Sequence, residues 1–150
     1  ITRKLKLHGN ELPRLVVTKT NANITAQVFD DAKDVLDSLS DNGAIIGVIS
    51  GNCESHMHLL LNQFGYEKYF KCVVGNDSYT NPKPNAEPIL LGLSRLNYFD
   101  KTSTVYVGDS LQDYEAAVNA GVDGILIDRD NSHPTFKGRK IKSLSELINY

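Results

Sequence analysis

The chain has 150 residues, a formal charge of −2 and 41% hydrophobic residues. That length suits one domain with a moderate core, and the near-neutral, mixed charge gives no electrostatic case for nucleic acid. The longest apolar runs, such as Ala44 to Ile49, are far too short to span a bilayer, and the basic opening ITRKLKLHGN has no apolar stretch of the kind a signal peptide needs.

In chain order, residues 1–13 carry no readable pattern, and RLVVT (Arg14 to Thr18) reads as a short strand. The polar stretch TNANITAQ fits a loop or the edge of a strand. Asp30 to Gly43 predicts a helix: Ala32, Val35, Leu36 and Leu39 recur at helical spacing, acids fill the first turn and Gly43 stops it. Asp30 and Asp31 read as first-turn charges. AIIGVIS (Ala44 to Ser50) is a continuous apolar run, as in a strand buried on both faces. Next comes a helix from Cys53 to Gly65 with Met57, Leu60, Leu61 and Phe64 on one face, then a short strand, Lys71 to Gly75. Residues 76–88, NDSYTNPKPNAEP, form a loop dense in Asn and Pro. A third helix places Ile89, Leu90, Leu93 and Leu96 or Asn97 on one side. STVYVG is a strand, LQDYEAAVNAG a helix with Ala116, Ala117 and Ala120 on a small-residue face, and DGILID a further strand. SLSELINY closes the chain as a helix with a Ser143–Glu146 capping box.

Strands alternating with helices imply an α/β fold with a parallel sheet and right-handed crossovers, and place a site beyond the carboxyl ends of the strands. Thr18 to Thr20, Ser50 to Asn52, the loop around Lys83, and Asp109 all fall there. Gly108 lets the chain turn after a strand, so that Asp109 projects over the sheet end and Asp113, one turn on, reaches the same point. Two carboxylates with waters suit Mg2+; the plain alternative is a helix start with acids in its first turn. Ser50, Gly51 and Asn52 at a helix start suit an anion, or form an ordinary N-cap at Asn52. Lys83, stiffened by Pro82 and Pro84, is a placed cation or a solvated loop lysine. His56 and His58, two apart on a helix, cannot share a metal. Cys53 and Cys72 are too few for a disulfide framework and form no C-x-x-C, which predicts a reduced, cytoplasmic setting and no zinc. A semi-buried free thiol is the plain reading of Cys53.

AIIGVISGN, NPKPNAEPILLGL and VYVGDSLQDYEAAVNAG resemble motifs two, three and four of the haloacid dehalogenase-like (HAD) superfamily, in the flavour of its phosphoglycolate phosphatase-like branch. The resemblance runs from about Phe29 to the end. It implies a Rossmann-like three-layer core and magnesium-dependent hydrolysis of a small phosphate monoester. The 150 residues leave little room for a cap, so the chain reads as one core domain over residues 1–150 with little or no cap. Carried over, Ser50 with the Gly51 and Asn52 backbone holds the phosphoryl group, Lys83 neutralises it and orients the nucleophile, and Asp109 holds the metal with Asp113 in support, directly or through water.

The family's first motif, a D-x-D after an apolar strand, is absent before motif two. Its first aspartate is the nucleophile and its second the general acid and base. Two readings follow. Residues 1–28 hold an altered first strand, with Thr18 and Thr20 where the aspartates belong and Thr18 as the candidate nucleophile. Alternatively they are the remnant of a cap, and a partner chain or a preceding segment supplies the nucleophile. The matching functions are a phosphatase and a catalytically silent HAD-like binding or assembly module. A receiver-like signalling domain ranks last, because it needs an acidic pair after its first strand.

Overall fold

The computed structural model describes residues 5–8, 16–20, 23–27 and 30–148, with side chains from residue 30 onward. The first described strand is β1 (Leu5–His8), followed by β2 (Val16–Thr20) and β3 (Asn23–Gln27). Helix α1 (Ala32–Asp41) precedes β4 (Ile46–Ile49), and α2 (Glu54–Gln63) precedes a 3-10 turn at Glu67–Tyr69 and β5 (Cys72–Val74). Then come α3 (Glu87–Arg95), β6 (Thr104–Gly108), α4 (Leu111–Ala120), β7 (Asp123–Ile127) and β8 (Lys140–Ile141).

Six strands form one sheet in the order β5-β4-β1-β6-β7-β8, and each pairing in it is parallel. Strands β4 and β6 are buried at every position, which is why their sequences are runs of apolar residues rather than alternations. The strand pleat then sorts side chains between two layers. Val48, Val105 and Val107 meet Ala32, Val35, Leu36, Met57 and Leu61 of α1 and α2, while Ile49 and Tyr106 meet Ile89, Leu93, Ala116 and Ala117 of α3 and α4. The α/β Rossmann-like architecture expected from the sequence is therefore the one observed. Tyr106 belongs to the second layer because its neighbours Val105 and Val107 belong to the first.

One strand assignment changes. The centre of the sheet is β1, flanked by β4 and β6, with His8 level with Val48 and Val107. Val16–Thr20, expected to supply the first strand of the sheet, pairs antiparallel with β3 in a separate two-stranded sheet, Thr18 opposite Thr25. Val16–Thr20 and Asn23–Gln27 are thus the two arms of a hairpin, a pairing of local residues that needs no long-range partner.

Smaller corrections follow the same logic. The third helix buries Ile89 and Leu93 but leaves Leu90 at 40% exposure, because Pro88 and Gly92 turn inward instead. The terminal segment is a 3-10 turn at Leu144–Leu147, carrying the expected Ser143–Glu146 capping box; residues 149 and 150 lie outside the described ones. Gly121 ends α4 with φ 78°, a left-handed value that glycine adopts without steric cost. Asp31 sits at the N-cap of α1 without a side-chain cap bond, and its carboxylate instead accepts from both terminal nitrogens of the Arg129 guanidinium, the Ser143 hydroxyl and the Leu144 N–H. It ties the start of α1 to the end of β7 and to the C-terminal turn.

Candidate active site

The carboxyl ends of β4 and β6 carry the residues singled out in the sequence. They lie about 10 Å apart, two strand spacings, with the end of β1 between them. On the β6 side, Ser110 caps α4: its hydroxyl accepts the Asp113 N–H at 3.1 Å, while Asp113 Oδ2 accepts the Ser110 N–H at 3.2 Å. This reciprocal capping box draws the Asp113 side chain back over Gly108. A Cβ at Gly108 would overlap that side chain. The glycine is therefore required by a close approach rather than by the turn expected from the sequence, since its φ is not positive.

Asp113 is 1% exposed, and its other oxygen, Oδ1, accepts from Lys83 Nζ and, at 3.4 Å, from the Tyr106 hydroxyl. Lys83 Nζ also donates to Tyr106 Oη at 3.2 Å, much closer than the 5.8 Å to the ring centre, so the contact is a hydrogen bond rather than a cation over a ring face. Only 10% of the Lys83 side chain is exposed. Burial pushes the Tyr106 phenol well above its ordinary value, and the Asp113 charge raises it further, so the hydroxyl keeps its proton.

The loop that carries Lys83 is pinned at both ends. The Glu87 carboxylate accepts the N–H groups of Thr80 and Asn81 and the Asn81 amide, each within 2.9 Å. On the far side, the Asn119 side chain on α4 donates to the Pro84 carbonyl at 2.8 Å. The sequence marked this loop by its prolines; the structure shows that a glutamate and an asparagine hold it. The signal for them was weak, because neither residue type has a fixed spacing to Lys83.

On the β4 side, Ser50 is 6% exposed and its Oγ accepts the Asn52 N–H at 3.1 Å. The N-cap of α2 is Cys53, not Asn52. The Glu54 N–H, at the start of the helix, is taken at 2.8 Å by Asp77 Oδ1. A carboxylate from the 76–88 loop thus already occupies part of the positive helix end where the sequence suggested a phosphate. Gly51 has open space where a side chain would stand.

The structure therefore joins Lys83, Asp113 and Tyr106 in one cluster, with Asp109 directly after β6 and Ser50 at the end of β4. Thr18 lies on the β2–β3 hairpin, not at the end of a central sheet strand. The residue at the end of the central strand is His8, in a stretch the sequence left unread; residues 9–15, which follow it, lie outside the described ones. The sequence does contain D-x-D spacing after β7, at Asp128 and Asp130. There Asp128 is 2% exposed, its oxygens taken by the Ser132 and His133 N–H groups, with Lys140 Nζ at 3.6 Å. It organises the turn that closes a pocket of about 150 Å3 shared by Asp109, Arg129 and His133.

Mg2+ is a hard cation that takes one or two carboxylates and completes its shell with water and phosphate oxygens. Asp109 stands at the sheet edge with the required oxygen chemistry. Asp113 has both oxygens engaged by protein donors, and no group of three or more metal-type ligands occurs among the described residues. The site fits an ion held through Asp109 with water and phosphate, not a cage built wholly of protein.

A parallel sheet with a buried lysine–aspartate pair and a second aspartate at its carboxyl edge defines an α/β protein whose charged site sits at the strand ends. Within that class the chain belongs to the haloacid dehalogenase-like hydrolase family, whose profile it matches over residues 4–127. It is 35% identical over 94 residues to a phosphoglycolate phosphatase of Salmonella choleraesuis, covering 63% of this chain and 37% of that protein. It is 32% identical over 93 residues to the pyrophosphatase PpaX of Bacillus velezensis, covering 62% and 43% respectively. The chain thus spans less than half the length of these relatives. Among solved structures, a HAD phosphatase of Thermococcus onnurineus superposes with a TM-score of 0.74 at 28% identity, over 83% of this chain and 58% of that one. An uncharacterized protein of Listeria monocytogenes shares the fold end to end, with a TM-score of 0.75 over 97% of this chain and 95% of that one at 17% identity.

Proposed function

We propose that this chain is the core of a magnesium-dependent phosphatase acting on a small phosphate monoester. The observation that carries the reading is the buried Lys83–Asp113 pair beside Asp109 at the carboxyl edge of the sheet. Lys83 places one positive charge against phosphoryl oxygens, and Asp113 holds it there. Ser50, whose Oγ already accepts the Asn52 N–H, has its proton to donate to the same oxygens. Asp109 is the residue that would hold the metal, while Asp113 holds Lys83. A bound Mg2+ neutralises charge on phosphoryl oxygens. We read residues 1–150 as one core domain with little or no cap, the β2–β3 hairpin lying between β1 and α1 in the chain, so that the site is open and substrate choice rests on little of this chain. No described side chain is assigned as the nucleophile. Two free thiols and no disulfide among the described residues agree with a cytoplasmic setting, and no described helix is long and apolar enough to cross a membrane.

The test is hydrolysis of an aryl phosphate with and without magnesium, beside Asp109→Asn. Magnesium-dependent turnover that falls at least a hundredfold in the variant is expected. The lack of a D-x-D before the second motif favours a second reading, a silent binding module. That reading takes over if a folded sample binds vanadate with magnesium yet turns nothing over.

A further inference from the structure

Resting on the phosphate-site reading above, we propose that Tyr106 is a positioning residue: its hydroxyl fixes the direction in which the Lys83 ammonium presents its remaining proton. A lysine ammonium has three N–H donors and turns freely about its last bond. One donor goes to Asp113 Oδ1 and a second to Tyr106 Oη at 3.2 Å. The Tyr106 hydroxyl in turn donates a hydrogen bond to the same Asp113 oxygen, at 3.4 Å, so the three groups close a triangle. With two donors anchored, rotation is blocked and the third points in one direction, out of the triangle. With Asp113 alone, the head would swing about a single bond and the third donor would sweep a cone.

The anchors are themselves fixed. Tyr106 is 1% exposed and sits in the middle of β6, packed under α3 and α4. Asp113 is held by the capping box of α4. The Lys83 backbone is pinned through Pro84 by Asn119. Nothing in the packing of that layer calls for a hydroxyl, because phenylalanine fills the same space. The hydroxyl is explained by what it does for Lys83, not by the core.

The test is Tyr106→Phe, which removes one oxygen and keeps the ring. Vanadate and inorganic phosphate are titrated, with magnesium, into the unsubstituted chain and the variant, and both are unfolded in urea. A hydrogen bond to a charged group sets the scale, so the variant should bind vanadate about tenfold more weakly. In turnover the loss should appear in kcat/KM. Tyr106→Leu, which also removes the ring, should lose much more stability than Tyr106→Phe, whose urea midpoint should fall only by the hydrogen bonds lost. If the unsubstituted chain binds vanadate and Tyr106→Phe binds it equally well, the positioning role is wrong while the phosphate site stands. If the unsubstituted chain binds neither anion, the phosphate reading falls and the positioning role falls with it.

Discussion

Lys83 and Asp113 are the residues whose chemistry depends most on each other. Asp113 is 1% exposed and the Lys83 side chain 10%, so neither charge is solvated well enough to stand alone. Removing one partner of a buried pair leaves an uncompensated charge, which costs more than the pair itself contributes. Lys83→Met should therefore lower unfolding stability by about 3–5 kcal/mol in urea denaturation. Adding Asp113→Asn should recover more than half of that loss, because the amide oxygen can still accept the Ser110 N–H while the buried charge is gone. A double variant no more stable than Lys83→Met would show that the cost lies in packing rather than charge. At this scale the sequence was a good guide to residue types. It marked Lys83, Asp109 and Asp113, but it grouped the two aspartates as metal ligands. The structure pairs Asp113 with the lysine, through a contact thirty residues apart that no local spacing reports.

Among the elements, α4 does the most for the site, because its first turn fixes Asp113 and its third turn reaches Pro84 through Asn119. Ser110→Ala removes the acceptor for the Asp113 N–H and should cost about 1 kcal/mol. It should also weaken vanadate binding, since the side chain that holds Lys83 loses its own restraint; affinity unchanged alongside lower stability would confine the capping box to the fold. Helix α2 behaves differently. Its start reads in the sequence as an anion pocket, yet Asp77 arrives from the loop to take the Glu54 N–H. The helix is legible in the pattern of Met57, Leu60 and Leu61, but the occupant of its positive end comes from a distant loop.

For the whole molecule, the tie at Asp31 closes the layered structure by joining α1, the end of β7 and the C-terminal turn. Burial pushes its carboxyl up, but the hydrogen bonds from Arg129, Leu144 and Ser143 outweigh that and hold it below the usual 3.8. A lowered folded value means stability that is fully present above the unfolded value and is lost as pH falls through the folded one. Asp128, lowered by the His133 and Ser132 N–H groups against its own burial, acts in the same direction. Thermal unfolding should therefore show a gap between the unsubstituted chain and Asp31→Asn that is widest at neutral pH and closes as pH drops below about 4. A gap that stays constant with pH would assign the role of Asp31 to packing and remove charge from the account.

The amino-acid sequence by itself determined helices α1 to α4, strands β4 to β7 and the order of the three motifs. Those follow from periodicity, apolar runs and glycine stops, which are local and survive any arrangement of the rest. It also determined the chemistry on offer at the sheet edge. Only the tertiary structure decided which strand fills the centre, because a short mixed stretch such as Leu5–His8 becomes a central strand by pairing with β4 and β6 rather than by its own pattern. Likewise, only the fold decided that Asp113 serves Lys83, that Gly108 makes room for it and that Tyr106 joins them. Those facts rest on which face of a strand meets which helix, and a strand's pleat acquires that meaning only when its neighbours are in place.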